Sequence, residues 1–366
     1  MLKGLWKKIF PGSPAKKFSA WQVELTSRCP LKCKMCSRAA YKDFFSKDMN
    51  LGDFQKLLPY FSEVEAVVLE GWGESLLHKN LLDCIGWVKE KGPRAGFVTS
   101  GKGLNESLIS ELLKVGVDFM GFSLSGATPA THNAIRVNSD LEELQENILT
   151  LQEMKARRNL VNPQLHIVYL MLKENIREVP ALIQLARDLG IKEVVLIHLI
   201  HVSNSYQEEQ RVFGENGVEP FERILEAAQA KAREWKIELQ CPSLSIGEVP
   251  ICGENPLRNL YISADGEVSP CVYLNPPVPT PFKRIFQGKE FPIEKVSFGN
   301  IFQKPFQEIW QNPQYEEFRA CLSRRHENMQ EMIGALWDSE KRKNLESFSL
   351  PPPPIPCRTC YKMEGF

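Results

Sequence analysis

The sequence predicts an α/β fold in which a partial (β/α)6 TIM-type barrel over residues 20–240 is followed by a small C-terminal domain over residues 241–366. Apolar strand candidates alternate with amphipathic helical stretches six times before residue 240, which indicates a parallel sheet with right-handed crossovers. A closed eight-unit barrel needs about 250 residues, so six units in this span predict an open barrel with a lateral mouth. The alternation ends after residue 240, and the second domain begins there.

Periodicity and stop signals define the elements of the barrel. Asn105 and Asp140 are N-cap candidates, and Gly116 and Gly190 lie where helices end. The six strands are predicted over Trp21–Thr26, Ala66–Glu70, Ala95–Thr99, Phe119–Leu124, Leu165–Leu170 and Glu193–Ile200. The six helices are predicted over Leu51–Phe61, Asn80–Glu90, Asn105–Val115, Leu141–Arg157, Ile176–Leu189 and Phe221–Trp235.

The C-terminal part contains short elements of mixed type. Asp265-Gly266 separates two apolar runs, Leu257–Ser263 and Glu267–Tyr273, and this pattern predicts a β-hairpin. After a proline-rich loop, the remaining elements are two short helical pieces, a charged and solvated helical stretch, and a stiff proline spacer. They cover Phe306–Trp310, Gln314–Leu322, Ser323–Ser347 and Pro351–Pro354.

The composition is that of an ordinary globular chain of 366 residues, with 43% hydrophobic and 25% charged residues. The formal net charge is zero, so we expect no nucleic-acid partner. No apolar run approaches the ~20 residues that a membrane-spanning helix needs. Ten Cys without a secretory signal indicate a reducing, cytoplasmic location and metal ligation rather than disulfides.

Residues 1–19 form a basic N-terminal tail. Five Lys and no acidic residue precede the first strand, and an apolar face in this stretch would suit weak contact with a membrane surface or a partner protein. The turn signal Pro11-Gly12 favours a loosely ordered tail instead.

The loop after the first predicted strand carries Cys29, Cys33 and Cys36 in the spacing C-x3-C-x2-C. Three thiolates can hold three irons of a four-iron cluster and leave the fourth iron open, whereas a fourth Cys would close an electron-transfer cluster. A structural zinc site prefers four ligands in two separated pairs, and a disulfide framework suits short secreted chains. The spacing therefore favours an open cluster over both alternatives.

This loop resembles the signature of radical S-adenosylmethionine (SAM) enzymes, in which the open iron chelates the amino and carboxylate groups of SAM. Gly71-Trp72-Gly73-Glu74, after the second strand, is similar with one insertion to the Gly-Gly-Glu stretch that receives the methionine amino group in that family. Thr99-Ser100-Gly101 lies where relatives have Thr-Asn-Gly. The resemblance assigns SAM-binding roles to Gly71, Gly73, Glu74, Ser100, Ser123 and Arg136.

Ser123 and Arg136 follow the fourth strand. They match family positions that contact the ribose and the carboxylate of SAM, and a guanidinium suits a carboxylate because its N–H donors are paired. Ser125 stands where relatives carry an acidic residue. This departure puts any role of that acid in doubt.

Titratable side chains near the predicted mouth do not single out a catalytic residue. His166, His198 and His201 lie on or just after the fifth and sixth strands, where an imidazole would suit proton transfer. Strand alternation places His198 and His201 on opposite faces, and packing in the core or at the rim is the expected role of each. Glu70 and His78 flank the Gly-rich loop without support from a motif.

A second set of four cysteines, Cys252, Cys271, Cys357 and Cys360, lies in the C-terminal part. Two separated pairs, one of them C-x2-C, suit either a zinc site or a closed 4Fe–4S cluster. The pattern Cys-x13-Gly-x4-Cys resembles the opening of a SPASM or twitch domain, and residues 305–319 resemble a helix found there. A full SPASM domain would need more Cys after the C-x2-C pair, so the resemblance implies one auxiliary 4Fe–4S cluster.

Three cysteines remain outside both sets. Cys84 lies on an apolar helix face, where a buried free thiol is normal. Cys241 is the main rival as an auxiliary ligand because it lies shortly before Cys252, and we expect no special role for Cys321.

The resemblance implies an enzyme, a radical SAM oxidoreductase or maturase, that receives electrons from a flavodoxin- or ferredoxin-type donor. SAM would be cleaved at the site-differentiated 4Fe–4S cluster, and the 5′-deoxyadenosyl radical would abstract hydrogen from a substrate with help from the auxiliary cluster. The overall pattern is most similar to SPASM-type maturases, including those associated with tungsten- or molybdenum-cofactor oxidoreductases. These act on a peptide, protein or cofactor.

Two alternatives stay open at this point. A small-molecule dehydrogenase or epimerase of the aminosugar or aminocyclitol type would also suit the four-Cys arrangement, and only about twenty residues precede the first strand, which weakens the peptide case. A non-catalytic zinc- or cluster-bearing binding protein is the other alternative, against which Glu74, Ser123 and Arg136 argue.

Overall fold

The computed structural model describes residues 16–214, 218–336 and 349–366. Its strands are β1 (Phe18–Val23), β2 (Val64–Val68), β3 (Arg94–Thr99), β4 (Phe119–Leu124), β5 (Gln164–Met171), β6 (Glu193–His198), β7 (Glu238–Gln240), β8 (Asn259–Ile262), β9 (Val268–Ser269), β10 (Phe282–Phe286) and β11 (Lys289–Ile293). The main sheet has the order β7-β6-β5-β4-β3-β2-β1-β8-β9. Sequential parallel neighbours from β1 to β6 confirm the predicted fold class, an open sheet consistent with a partial TIM barrel.

The helices follow the strands in the predicted alternation. They are α1 (Leu51–Gln55), α2 (Leu81–Glu90), α3 (Glu106–Val115), α4 (Pro129–Ile135), α5 (Leu141–Arg157), α6 (Val179–Asp188), α7 (Ser205–Glu209), α8 (Glu219–Glu234), α9 (Phe306–Trp310) and α10 (Pro313–Leu336). The side chains of Asn105 and Asp140 accept backbone N–H groups of the first turns of α3 and α5, as N-caps do. Gly116 ends α3 in the left-handed conformation.

The predicted hairpin is present, but it is also part of the main sheet. β8 and β9 pair antiparallel, and β8 lies parallel to β1, with Ala20 opposite Asn259 and Val23 opposite Ile262. The sheet therefore continues across the predicted domain division at residues 240 and 241. Because β8 borders β1 in parallel, the turn after β8 meets the residue that follows β1, where Ala264 N donates to Glu24 Oε2 at 3.2 Å.

An aromatic cluster joins α9 to the outer face of β1. Phe306 lies 4.8 Å from Trp21 between ring centroids, and Phe18 lies 4.9 Å from Trp310. Trp21 also packs on Phe61 at 6.0 Å. These rings are large apolar surfaces whose burial fixes the C-terminal part against the first strand.

The charged stretch that we expected to be solvated contains a fully buried residue, Arg325 of α10. Its guanidinium donates to Glu248 Oε1 and Val249 O, both at 2.8 Å, and to Pro351 O. The expectation was wrong at this position because distant chain segments supply the acceptors, and spacing along a helix does not show them. Arg325 thereby ties the segment before Cys252 to the proline spacer before Cys357.

A second apolar cluster lies at the mouth, beside the cysteine loop. It joins Cys33 and neighbouring residues of that loop to residues after β5 and β6, to β10 and to the chain end at Tyr361 and Phe366. Within the described ranges, no helix is both long and apolar enough to cross a membrane. The amphipathic stretch predicted near the N-terminus falls within residues 1–15, outside those ranges.

Replacing Phe306 by Ala should lower the free energy of unfolding by about 3–5 kcal/mol, because it empties a site enclosed by Trp21, Phe18 and Trp310. Denaturant unfolding followed by far-UV circular dichroism measures the change. Leu149→Ala on α5 is the control, since Leu149 is 49% exposed and its loss should cost less than about 0.5 kcal/mol. Equal effects of the two changes would contradict the packing role of Phe306.

Candidate functional site

Cys29, Cys33 and Cys36 lie on the loop that follows β1, at the carboxyl edge of the parallel strands. Cys33 is buried, and the other two are half-buried. A turn closed by Cys36 N and Cys33 O at 3.1 Å holds the last two together. Burial raises the pKa of all three thiols, so their thiolates need a positive partner in order to form.

Two guanidinium groups supply positive charge next to these thiols. Arg136 lowers the pKa of Cys33 and Cys36 against the effect of burial, and Arg38 does the same for Cys29 and Cys36. Arg38 stacks on Phe44, with its guanidinium carbon 3.9 Å from the ring centroid, and its Nε is buried without a partner. Sequence reasoning missed Arg38, although an Arg two residues after the third Cys is a signal that could have found it.

Gly71 and Gly73 allow the loop after β2 to approach the cysteine loop. A Cβ on Gly71 would lie 2.6 Å from the side chain of Glu24, and one on Gly73 would lie 2.1 Å from Thr26 O. Neither glycine adopts a positive φ. The small size of Gly71 therefore permits contact with the Glu24 side chain, and that of Gly73 permits contact with the backbone of Thr26.

Glu24, which sequence reasoning also missed, connects three segments through its buried carboxylate. Trp72 N donates to its Oε1 at 2.6 Å, and Ala264 N donates to its Oε2 at 3.2 Å. Burial raises the pKa of Glu24, while the two backbone hydrogen bonds oppose that rise. The loop after β2 and the turn after β8 are thus held to the end of β1.

Glu74 is buried and joins the loops after β2 and β3. Thr99 Oγ1 donates to its Oε1 at 2.6 Å, and Ser100 donates to its Oε2 through both N (2.8 Å) and Oγ (2.6 Å). The charge of Glu74 raises the pKa of Cys29, so the carboxylate lies near that thiol. The structure thus brings Glu74 and Ser100 to the cysteine loop and uses this carboxylate to brace the site.

Ser125, which stands where relatives carry an acidic residue, lies next to Arg136. Arg136 Nε donates to the Oγ of this fully buried Ser125 at 2.9 Å. Ser123 lies two residues earlier on β4 and is half-buried. The departure from the family pattern is therefore a hydroxyl that orients Arg136 towards Cys33.

The histidines near the strands and their loops pack against neighbouring residues, and His201 differs in its hydrogen bonding. His198 bonds to Ser243 O at 2.8 Å and packs on Phe213, and His78 bonds to Met49 O at 2.8 Å. His166 lies against β4, where it would meet a Cβ on Gly121. His201 is buried, and neither ring nitrogen has a hydrogen-bond partner within the described part of the chain.

The second cysteine set surrounds one small enclosed cavity. All four predicted members line it, together with Glu254, Tyr273 and Lys362, whereas Cys84, Cys241 and Cys321 do not. Lys362 Nζ pairs with Glu254 Oε1 at 2.9 Å beside the thiols. Burial raises the pKa of Cys252 to about 12 and raises that of Cys271 and Cys357 as well.

The cysteines of each set are neighbours in the fold. Among the described residues, no three His, Cys, Asp or Glu side chains lie close enough to hold one metal ion, yet the charges of the cysteines in each set act on one another. All ten cysteines are free thiols, which removes the disulfide alternative.

Comparison with protein families matches both parts of the chain. The radical SAM superfamily model matches residues 23–186, and the SPASM iron–sulfur cluster-binding domain model matches residues 252–332. Cys357 and Cys360 lie beyond the second match.

Relatives of known name cover most of the chain. The cofactor-modifying protein for tungsten-containing aldehyde ferredoxin oxidoreductase from Pyrococcus furiosus is 26% identical over 302 residues, which are 81% of this chain and 82% of the relative. PqqA peptide cyclase from Methylobacterium sp. is 25% identical over 307 residues, which are 81% of this chain and 74% of that enzyme.

A solved structure shares the fold. The crystal structure of Streptococcus suis SuiB bound to S-adenosylmethionine superimposes with a TM-score of 0.61 at 14% identity, covering 84% of this chain and 71% of SuiB. The two matched models show a radical SAM domain followed by a SPASM domain, in the expected order, and these domains make the chain an enzyme whose cofactors are SAM and 4Fe–4S clusters.

Proposed function

We propose that this enzyme is a maturase that modifies a cofactor or a peptide at the barrel mouth. The observation that carries the proposal is the cysteine loop after β1, where three free thiols lie beside two guanidinium groups and beneath the Gly-rich loop. In this proposal Cys29, Cys33 and Cys36 hold the SAM-binding cluster. The cluster and SAM together supply a 5′-deoxyadenosyl radical for hydrogen abstraction.

The chain's own residues bind and orient SAM. Arg136, fixed by Ser125 at 2.9 Å, offers paired N–H donors to the SAM carboxylate. The loop of Gly71 and Gly73 offers backbone groups to its amino group. Glu74 has few acceptor sites left for that amino group, because Thr99 and Ser100 already donate three hydrogen bonds to its carboxylate. Ser123 is proposed to contact the ribose.

The second cysteine set is proposed to hold one auxiliary 4Fe–4S cluster. Four thiols around one closed cavity satisfy all four irons. Lys362, paired with Glu254 at 2.9 Å, places a cation beside this negative group. A flavodoxin- or ferredoxin-type protein is the proposed electron donor.

The named relatives support a cofactor or a peptide as the proposed substrate. One modifies a cofactor and another cyclises a peptide, and this chain is of similar identity to both. The alternative, an aminosugar or aminocyclitol dehydrogenase or epimerase, is favoured by one observation: the auxiliary cavity gathers four cysteines and no more.

Incubation of the reconstituted enzyme with SAM and dithionite should yield 5′-deoxyadenosine and methionine, because Cys29, Cys33 and Cys36 would hold a cluster able to pass an electron from dithionite to SAM. Chromatography of the products measures both. The variant Cys29→Ala/Cys33→Ala/Cys36→Ala should reduce the yield to background, while Cys84→Ala, which changes a buried thiol of α2, should retain it. A wild-type sample that is fully loaded with iron and gives no 5′-deoxyadenosine would refute the proposal.

Replacing Cys271 or Cys360 by Ala should lower the iron content by about four atoms per chain, because each variant opens the auxiliary ligand set. Iron and sulfide assays after anaerobic reconstitution measure the loss. Cys241→Ala is the matched control and should leave the content unchanged, since Cys241 bonds to Gln229 and lies outside the cavity lining. Loss of iron in the Cys241 variant alone would reverse the assignment.

A further inference from the structure

Arg284 of β10 is a buried arginine that forms no ion pair within the described part of the chain. Only 2% of its surface is exposed. Nη1 donates to Pro356 O at 2.8 Å, but Nη2 is buried with no partner. None of the ion pairs among the described residues includes it. A buried charge is strongly unfavourable unless it is paired, so the guanidinium requires an anionic partner that the described residues do not supply.

Further unsatisfied polar atoms lie beside Arg284. The charge of Arg284 acts on the imidazole of His201, which is 5% exposed and has no partner at either ring nitrogen. His201 lies 5.5 Å from Trp72 between ring centroids, and the indole Nε1 of Trp72 is also buried without a partner. Phe282 lies against His201 at 5.6 Å and closes the other side. Buried polar groups in folded proteins are nearly always hydrogen-bonded, so three neighbouring side chains lack the same kind of partner.

The position of these side chains connects them with the mouth. Trp72 belongs to the loop after β2, and His201 follows β6, so both come from the carboxyl edge of the parallel strands. Arg284 reaches them from β10, which covers that edge. The charge of Arg284 also lowers the pKa of Cys357 on its other side.

The hydrogen-bonding groups of Arg284, His201 and Trp72 indicate which class of ligand they would bind. Burial, helped by the nearby Arg284, lowers the pKa of His201 to about 3, so the imidazole is neutral and offers one donor and one acceptor. With the guanidinium and the indole N–H, the group is rich in donors and carries one positive charge. Carboxylate and phosphate oxygens accept such bonds best, and the bonds are stronger for being charge-assisted.

We propose that Arg284, His201 and Trp72 form a subsite that binds an oxyanion of the substrate, a carboxylate or a phosphate, at the barrel mouth. This inference rests on the proposed function in that the ligand is the molecule to be modified. The remaining imidazole nitrogen accepts a hydrogen bond from a hydroxyl or N–H group near the oxyanion. The rival explanation is that the negative auxiliary cluster alone neutralises Arg284 through its position next to Cys357.

The test titrates the full, cluster-reconstituted chain anaerobically with inorganic phosphate and, separately, with acetate, using chloride as the control for ionic strength. Calorimetry should show one saturable site for at least one of the two anions, and which of them binds distinguishes phosphate from carboxylate recognition. Arg284→Gln should weaken binding at least tenfold, and Arg284→Lys should restore part of it. Trp72→Phe removes only the indole N–H and should weaken binding several-fold. Arg324→Gln, on an exposed residue of α10, should have no effect.

The iron content of the Arg284→Gln variant distinguishes the subsite from the rival explanation. Arg284→Gln with unchanged iron and lost anion binding supports the subsite, whereas lost iron with intact binding overturns it. If Arg284→Gln does not fold, Trp72→Phe carries the test. Absence of a saturable site in the wild type, or unchanged binding in every Arg284 and Trp72 variant that folds, also overturns it. Neither readout requires SAM cleavage, so failure of the proposed function would appear separately in the 5′-deoxyadenosine assay.

Discussion

Glu24 lies just after β1, and its carboxylate accepts backbone hydrogen bonds from the loop after β2 and from the turn after β8. A carboxylate buried this deeply is tolerated only when its oxygens are bonded. Gly71 must lack a side chain for the loop to reach it. Because β8 also pairs with β1 in parallel, one strand end positions the cysteine loop, the Gly-rich loop and the entry to the auxiliary domain relative to one another.

The electrostatics of the two cysteine sets follow from this arrangement. Burial raises the pKa of the thiols in both sets, so an apo site favours protonated sulfur. Cluster ligation requires thiolates and therefore releases protons, which couples loading of each site to its local structure. Arg38 and Arg136 offset part of the cost at the first set, and Lys362 does so at Cys252 in the second.

Much of the fold could be predicted from the sequence because its signals are local. Helix α5 spans the predicted Leu141–Arg157, with Asp140 as its cap, since periodicity and capping both act within a few residues. The hairpin of β10 and β11 and the short helix α4 were not predicted. Their stability depends on contacts with distant segments, such as the hydrogen bond from Ile285 N to Val202 O.

In the candidate site, too, the residues with a local sequence pattern were predicted and those that depend on distant contacts were not. The spacing of Cys29, Cys33 and Cys36 indicated their shared loop, because ligand spacing is a property of the chain itself. Convergence of Cys252 and Cys271 with Cys357 and Cys360 on one cavity agrees with the family pattern. In contrast, Glu24 and Arg284 acquire their surroundings only through tertiary contacts, whereas Arg38 was missed although it lies two residues after the third Cys.

Negative charge must also be limited near the two cysteine sets, because the charge of Glu74 acts on Cys29 and that of Glu254 acts on Cys252. Lys362 neutralises Glu254 directly. Glu70 forms no ion pair among the residues that the structure describes, and burial together with the charges of Glu254 and Glu74 raises its pKa to about 7. Near neutral pH this carboxyl is therefore partly protonated. Pairing one acid and raising the pKa of another reduces the repulsion among the buried carboxyl groups that act on the two cysteine sets.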